Sequence, residues 1–88
     1  MHYSYDPQAD ALYIYLQEDG DVAKTIPIDD RRNVDLDAGG RVRGIEILSP
    51  GTNFPFQDLI DRFQLSEFTA FLESVSSTTF KPVTPVTP

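Results

Sequence analysis

The stretch 33-NVDLDAGGRVRGIEIL-48 decides the fold. Apolar and polar residues alternate through 33–37 and again through 41–48, which is the period of a half-buried β-strand. Between the two runs, Asp37 and the pair Gly39-Gly40 supply residues that favour tight turns, because glycine adopts positive φ without steric cost. The stretch therefore predicts a β-hairpin.

The second run of this hairpin contains a slip in its alternation. Val42 is apolar, but Ile45 and Ile47 follow it at an odd step, and Gly44 lies at the slip. A β-bulge at Gly44 would let both halves of the strand point the same way. The alternative is a strand that is covered on both faces.

Further strands are predicted on the N-terminal side. In 11–16, one face carries Leu12 and Ile14 and the other carries Tyr13 and Tyr15, which favours a central strand covered on both sides. The stretch 18-EDGD-21, with Gly20, predicts a hairpin to a partner strand at 22–28. A short extended segment at 3–5 precedes these strands and is followed by the turn residues Asp6-Pro7.

After 49-SPG-51 the apolar residues recur with a helical period. Phe56, Leu59, Ile60 and Phe63 form one stripe, and a second stripe is made of Leu65, Phe68, Phe71, Leu72 and Val75. The sequence thus predicts an α+β fold: a small antiparallel β-meander of four to five strands, followed by one or two C-terminal helices packed on the sheet or on a partner subunit. Residues 1–75 form the predicted domain, and the Thr/Pro-rich residues 76–88 form a disordered or extended tail.

Composition limits the function classes. The chain has 88 residues and no cysteine, which excludes disulfides, thiolate metal sites and cysteine nucleophiles. Fourteen acidic residues face seven basic ones, and a net charge of −7 disfavours nucleic acid while favouring a basic protein partner. No apolar run approaches the roughly 20 residues of a membrane span, and the N-terminus does not resemble a secretion signal. We expect a cytoplasmic protein that is not a membrane protein.

One motif in the opening stretch is similar to a calcium loop. Four of the five fixed positions of D-x-[DN]-x-[DN]-G-x5-E are matched, and Asp35, Asp37 and Glu46 are the candidate ligands. The flanks read as strands rather than helices, and Arg41 and Arg43 occupy positions inside the loop. A hairpin explains the same residues more simply, so the sequence predicts no metal and no cofactor.

No other set of residues indicates a defined chemistry. The acidic pairs at 6 and 10, 29 and 30, and 35 and 37 could serve a carboxylate-using enzyme, but acids are common at turns for backbone reasons. We assign no catalytic residue. The residues predicted to shape turns and the bulge are Asp6, Pro7, Asp10, Gly20, Gly39, Gly40 and Gly44.

The strings YDPQADALYIYL and VDLDAGGRVRGIEIL, with V-x-K-T-I between them, resemble the bacterial family called domain of unknown function 2283. The resemblance covers residues 3–49. It implies a small β-meander with a C-terminal helix and no established activity. Because some members lie beside genes for small toxin-like proteins, it also implies an antitoxin-like role in which a partner is neutralised.

Three functions are consistent with these observations. The first is a dimerising protein-interaction module, because the apolar residues exceed what one short helix can cover; the interface candidates are Tyr13, Tyr15, Phe56, Phe63, Phe68 and Phe71. The second is a small carboxylate-using enzyme, which needs a concave cluster of three or more acids. The third is a weak binder of a metal or small ligand.

Overall fold

The structure is a computed structural model that describes residues 1–83; residues 84–88 of the predicted tail lie outside the described part. Strands occupy the chain up to residue 48, and helices follow. The strands are β1 His2–Asp6, β2 Ala11–Tyr15, β3 Lys24–Pro27, β4 Arg32–Leu36 and β5 Val42–Leu48. The helices are α1 Gln57–Phe63 and α2 Thr69–Ser76, and a 3-10 turn at Ser66–Phe68 leads into α2. The predicted α+β class, with an antiparallel sheet and C-terminal helices, is confirmed.

The five strands form one antiparallel sheet in the order β1-β2-β5-β4-β3. β1 and β2 form a hairpin, and β3, β4 and β5 form a meander. The predicted hairpin between β2 and 22–28 is wrong, because the connection through Gly20 carries the chain to the far edge of the sheet. β5 pairs with β2 instead, which makes β2 to β5 a Greek key.

Burial explains this strand order. In the pairing of β2 with β5, Leu12 lies opposite Ile47 and Ile14 lies opposite Ile45, so four apolar side chains meet in the middle of the sheet. β3 is mostly exposed and contains Pro27, whose missing N–H is tolerated at an edge but not in the interior of a sheet. The most apolar strands therefore lie at the centre.

A bulge lies on β5 next to Gly44. Asp35 pairs with Gly44 and Leu36 pairs with Val42, which leaves Arg43 as the extra residue. The carbonyl oxygen of Arg43 accepts hydrogen bonds from the next two residues after β2, at 2.8 and 3.1 Å. Because of the extra residue, both Val42 and Ile45 are buried on the same face.

The two helices cover one face of the sheet, which we call the inner face. Leu12, Ile14 and Val34 from the sheet form one buried cluster with Leu59 and Leu72 from the helices. Each such side chain contributes about 1.5–3 kcal/mol by leaving water. The helices thus pack on the sheet of their own chain.

In residues 1–83, no helix combines the length and the apolar character needed to cross a bilayer.

An arginine fork joins the sheet to the first helix. The alternation of β4 places Arg32 on the inner face with Val34, and its side chain is only 11% exposed. Its Nη1 and Nη2 donate to the two carboxylate oxygens of Asp58 on α1, both at 2.8 Å, and its Nε donates to Asp29 at 2.9 Å. This paired geometry fixes the start of α1 over the sheet.

The packed part of the chain extends past the boundary predicted at residue 75. The Ser76 hydroxyl is buried and donates to the carbonyl of Phe54 at 2.9 Å. Phe80 is 6% exposed, and its ring packs on the rings of Tyr5 and Tyr3 at centroid distances of 5.0 and 5.6 Å. Its backbone N–H donates to the carbonyl oxygen of Gly51 at 2.8 Å. One aromatic side chain therefore ties this segment to β1.

Candidate interaction surface

The sheet face opposite the helices, called the outer face below, has no helix over it in residues 1–83. This differs from the expectation that β2 is covered on both sides. The alternation of the strands directs Tyr13 and Tyr15 to this face, where both are half-buried by the side chains of neighbouring strands. Other side chains on this face include His2, Thr25, Asn33, Asp35, Arg43 and Glu46.

The centre of the outer face is a hydrogen-bonded group around Asp35. Tyr13 Oη donates to one carboxylate oxygen and Thr25 Oγ1 donates to the other, both at 2.6 Å. The Tyr13 ring crosses Gly44 on the way, at a place where any Cβ would overlap the ring. Desolvation, followed by the hydrogen bond to Asp35, raises the pKa of Tyr13 above its ordinary value of 10.0. The phenol is therefore held in one orientation and keeps its proton.

Three aromatic rings follow one another along this face, and we call them the aromatic row. The rings of Tyr13 and Tyr15 lie 4.6 Å apart with planes tilted by 58°, and His2 stacks on Tyr15 at 4.3 Å with an angle of 14°. His2 Nδ1 lies 2.9 Å from a carboxylate oxygen of Glu18. Neighbouring side chains thus fix both ends of the row.

Carboxylates outnumber cations around the aromatic row. Glu18, Asp35 and Glu46 are present, and Asn33 Nδ2 donates to Glu46 at 3.0 Å. In the described part of the chain, the arginine on this face is Arg43. Its Nη2 donates to the Glu18 carbonyl oxygen at 3.5 Å, and its buried Nε has no hydrogen-bond partner among residues 1–83. The outer face is therefore an acidic surface with an aromatic centre.

The three candidate calcium ligands make three separate sets of contacts. Asp35 is bound to Tyr13 and Thr25, and Glu46 is bound to Asn33. Asp37 accepts the N–H groups of the residues two and four positions on, both at 2.9 Å, as a turn aspartate does. Within residues 1–83, no three acidic or histidine side chains come together as a metal site would require.

Most of the predicted turn residues lie in loops of the structure, and Asp6 is the last residue of β1. Asp6 Oδ1 accepts N–H groups from Gln8 and Ala9 at 3.0 and 3.3 Å, in the turn that also holds Pro7. Asp10 accepts the Tyr5 hydroxyl at 2.7 Å; partial burial and this bond raise the pKa of Tyr5 to about 12. Gly20, with φ +86°, lies in the connection between β2 and β3. Gly39 and Gly40 lie in the turn between β4 and β5, where Gly40 has a φ of +84°.

The aromatic interface candidates separate into two groups. Phe56, Phe63, Phe68 and Phe71 are partly buried and pack against the core of their own chain. Tyr13 and Tyr15 belong to the uncovered outer face. Most of the aromatic side chains that suggested a dimer interface are thus packed within one chain.

Sequence reasoning missed several residues of these sites. Period-two counting from Val34 would have placed Arg32 on the inner face. It could not have shown that Thr25 and Tyr13 both reach Asp35, because these three residues come from three different strands. Phe80 lies outside both helical stripes, so periodicity could not identify it as a core residue.

The comparisons with known proteins give one result. A family model described as "Protein of unknown function (DUF2283)" matches residues 2–49, which contain the whole sheet and the aromatic row. No curated protein and no solved structure matches the chain significantly.

Proposed function

Because the chain belongs to the DUF2283 family, whose description states no function, we propose its role from its own geometry. The protein is a protein-interaction module, and its outer face binds a basic segment of a partner protein. The observation that carries this proposal is the aromatic row, which lies among carboxylates on a sheet face that no helix of residues 1–83 covers.

The fixed orientation of the rings supports binding. Tyrosine is enriched among the side chains that dominate protein–protein affinity, since one ring offers a large apolar area and a polar tip. A partner loses less conformational entropy on a surface that is already ordered. Here Tyr13 is held by Asp35, and Tyr15 is held between Tyr13 and His2.

The charge pattern supports a basic occupant. The chain carries a net charge of −7, so a cationic partner is attracted over a long range and meets the protein faster. Close to the surface, an arginine can stack on Tyr15 while its guanidinium pairs with Glu18 or Glu46. Stacking and pairing of this kind favour arginine over lysine.

A second copy of the chain is the competing occupant of the same face. The homodimer expected from the sequence stays a prediction. Two copies would bring like charges together, which opposes this arrangement unless the interface itself pairs them. The mass of the protein in solution therefore has to be measured together with partner binding.

The first experiment uses an oligo-arginine peptide as the probe and follows the backbone amide signals of the protein by NMR. We expect shifts concentrated at Tyr13, Tyr15 and Glu46, and weaker binding at high salt. Tyr15→Ser should weaken binding about tenfold, the loss typical of one central aromatic contact. Tyr3→Ser, which removes a tyrosine from the other side of the sheet, is the matched control and should leave binding unchanged.

The second experiment identifies the partner. The tagged wild type, Tyr15→Ser and Tyr3→Ser are used to capture proteins from the host, and the masses of the eluates are measured by light scattering. A stoichiometric basic protein lost only with Tyr15→Ser supports the proposal, and inhibition of that partner's activity would show an antitoxin-like role. A pure dimer that dissociates on Tyr15→Ser would mean that a second copy occupies the face. Peptide shifts spread evenly over the whole acidic surface would contradict a defined docking site.

A further inference from the structure

A second surface feature lies away from the outer face, at the end of the sheet where β2 finishes. It is an open groove of about 590 Å³ between the β4–β5 turn and the C-terminal end of α1. Its lining includes Leu16, Arg41, Val42, Arg62, Phe63 and Phe68. The volume lies within the range of about 300–1,000 Å³ that is usual for small-ligand sites.

The groove collects two of the cations of an acidic protein. Arg41 and Arg62 both line it, and neither takes part in a salt bridge within residues 1–83. Glu67 is the carboxylate among its lining residues. The Arg62 guanidinium lies 5.1 Å from the centre of the Phe63 ring, which favours one orientation of this long side chain. The groove is thus a positive site on a chain of net charge −7.

The rest of the lining combines apolar side chains with Gln17, Gln64 and Gly40. Leu16, Val42 and Leu65 are buried beneath the groove, and Phe63 and Phe68 are half-buried at its sides. A ligand here would meet guanidinium groups together with apolar surface. An inorganic anion can bind only to the guanidinium groups, and a neutral lipid can bind only to the apolar surface.

We propose that this groove binds a small organic anion that carries a carboxylate on an apolar body. The carboxylate would pair with Arg41 and Arg62, since a guanidinium presents two parallel N–H donors to a carboxylate. The apolar body would lie on Leu16 and the rings of Phe63 and Phe68. This site is independent of the outer face and needs no protein partner.

The test uses decanoate as the probe, at concentrations below its micelle formation, with isothermal calorimetry for affinity and NMR for location. We expect saturable binding with amide shifts around Arg41, Phe63 and Phe68. Decanol, which has the same chain without the charge, and acetate, which has the charge without the chain, should each bind at least about tenfold more weakly.

Two variants remove the charges while keeping side-chain length. Arg41→Gln and Arg62→Gln should each weaken decanoate binding about tenfold, and Arg31→Gln, an exposed arginine of the β3–β4 turn, should have no effect. Equal affinity for decanoate and decanol, an unchanged affinity in both groove variants, or shifts that map to the outer face would each overturn the proposal. None of these outcomes depends on whether the oligo-arginine peptide binds, so the two proposals fail separately.

Discussion

The Tyr13 hydroxyl donates a 2.6 Å hydrogen bond to Asp35 across the backbone of Gly44, so that β2 and β4 are joined over the strand between them. A glycine is needed at the crossing because the ring occupies the space of a Cβ. This hydrogen bond passes beside the bulge, depends on β5 lying between β2 and β4, and holds one ring of the aromatic row in place.

Gly44→Ala should therefore destabilise the protein by about 1–3 kcal/mol, the usual cost of forcing extra atoms into a filled site. The new methyl group would displace the Tyr13 ring from Asp35. Urea unfolding measures the loss, and Gly39→Ala serves as the control because its Cβ would meet only Asp37 Oδ1 at 3.4 Å. Equal stabilities of the two variants would show that Tyr13 moves aside without cost.

Tyr13→Phe should cost about 0.5–1.5 kcal/mol near neutral pH, since one hydrogen bond is lost. It should also change the response to alkaline pH. The pKa of Tyr13 is raised in the folded protein, so above pH 10 the folded state binds more protons than the unfolded state, and stability falls as the pH rises further. Wild type should lose more stability than Tyr13→Phe between about pH 9 and about pH 11. Parallel pH profiles would contradict the role of this phenol.

Arg32→Met should lower the Tm by about 4–8 °C, which is about 1 kcal/mol for a domain of this size. The effect is modest because the Asp58 side chain is 56% exposed and water screens the pair. Hydrogen bonding by Arg32 lowers the pKa of Asp58 from 3.8, so the stabilisation is present above this pH and is lost as the pH falls below it. Melting curves at about pH 7 and about pH 3 should therefore differ less between the variant and wild type at the acidic pH.

Phe80→Ala should destabilise the protein by about 3–5 kcal/mol, as expected for a buried phenylalanine. Val83→Ala is the control: its side chain is 57% exposed, and the change should stay within about 0.5 kcal/mol. Chemical unfolding separates the two outcomes. A negligible effect of Phe80→Ala would place the end of the packed domain before residue 76, as composition alone predicts.

Added calcium should leave the Tm unchanged. A cation that binds only the folded state must raise the Tm, but Asp35, Asp37 and Glu46 are engaged in three separate contacts. Thermal melts with and without millimolar calcium provide the measurement. A rise that disappears in Asp35→Asn would restore the calcium loop as an explanation of the motif.

Much of the fold could be predicted because local pattern specifies which face a side chain takes. The alternation in β2 separated Leu12 from Tyr13, and the slip between Val42 and Ile45 located the bulge beside Gly44. The change to a helical period after residue 49 located the helices. These features depend on residues close together in the chain.

The strand order could not be predicted in the same way. Gly20 favours a tight turn, and the pattern of 22–28 favours a strand. Together they predict that β2 pairs with the strand that follows it in the chain. The observed pairing of β2 with β5 depends on Leu12 and Ile14 meeting Ile47 and Ile45, which are more than thirty residues away. Alternation does not indicate which strand lies beside which.

By itself, the sequence determined the class of the fold, the alternation of the strand residues between two faces, the turn at Gly39-Gly40, the acidic charge and the family. Only the tertiary structure decided that Tyr13 reaches Asp35 over Gly44, that Arg32 ties the sheet to α1, and that Phe80 belongs to the core. The physical reason is that backbone period and turn chemistry act between near neighbours. Burial, ion pairing and the surfaces proposed for binding arise between residues that only the folded chain brings together.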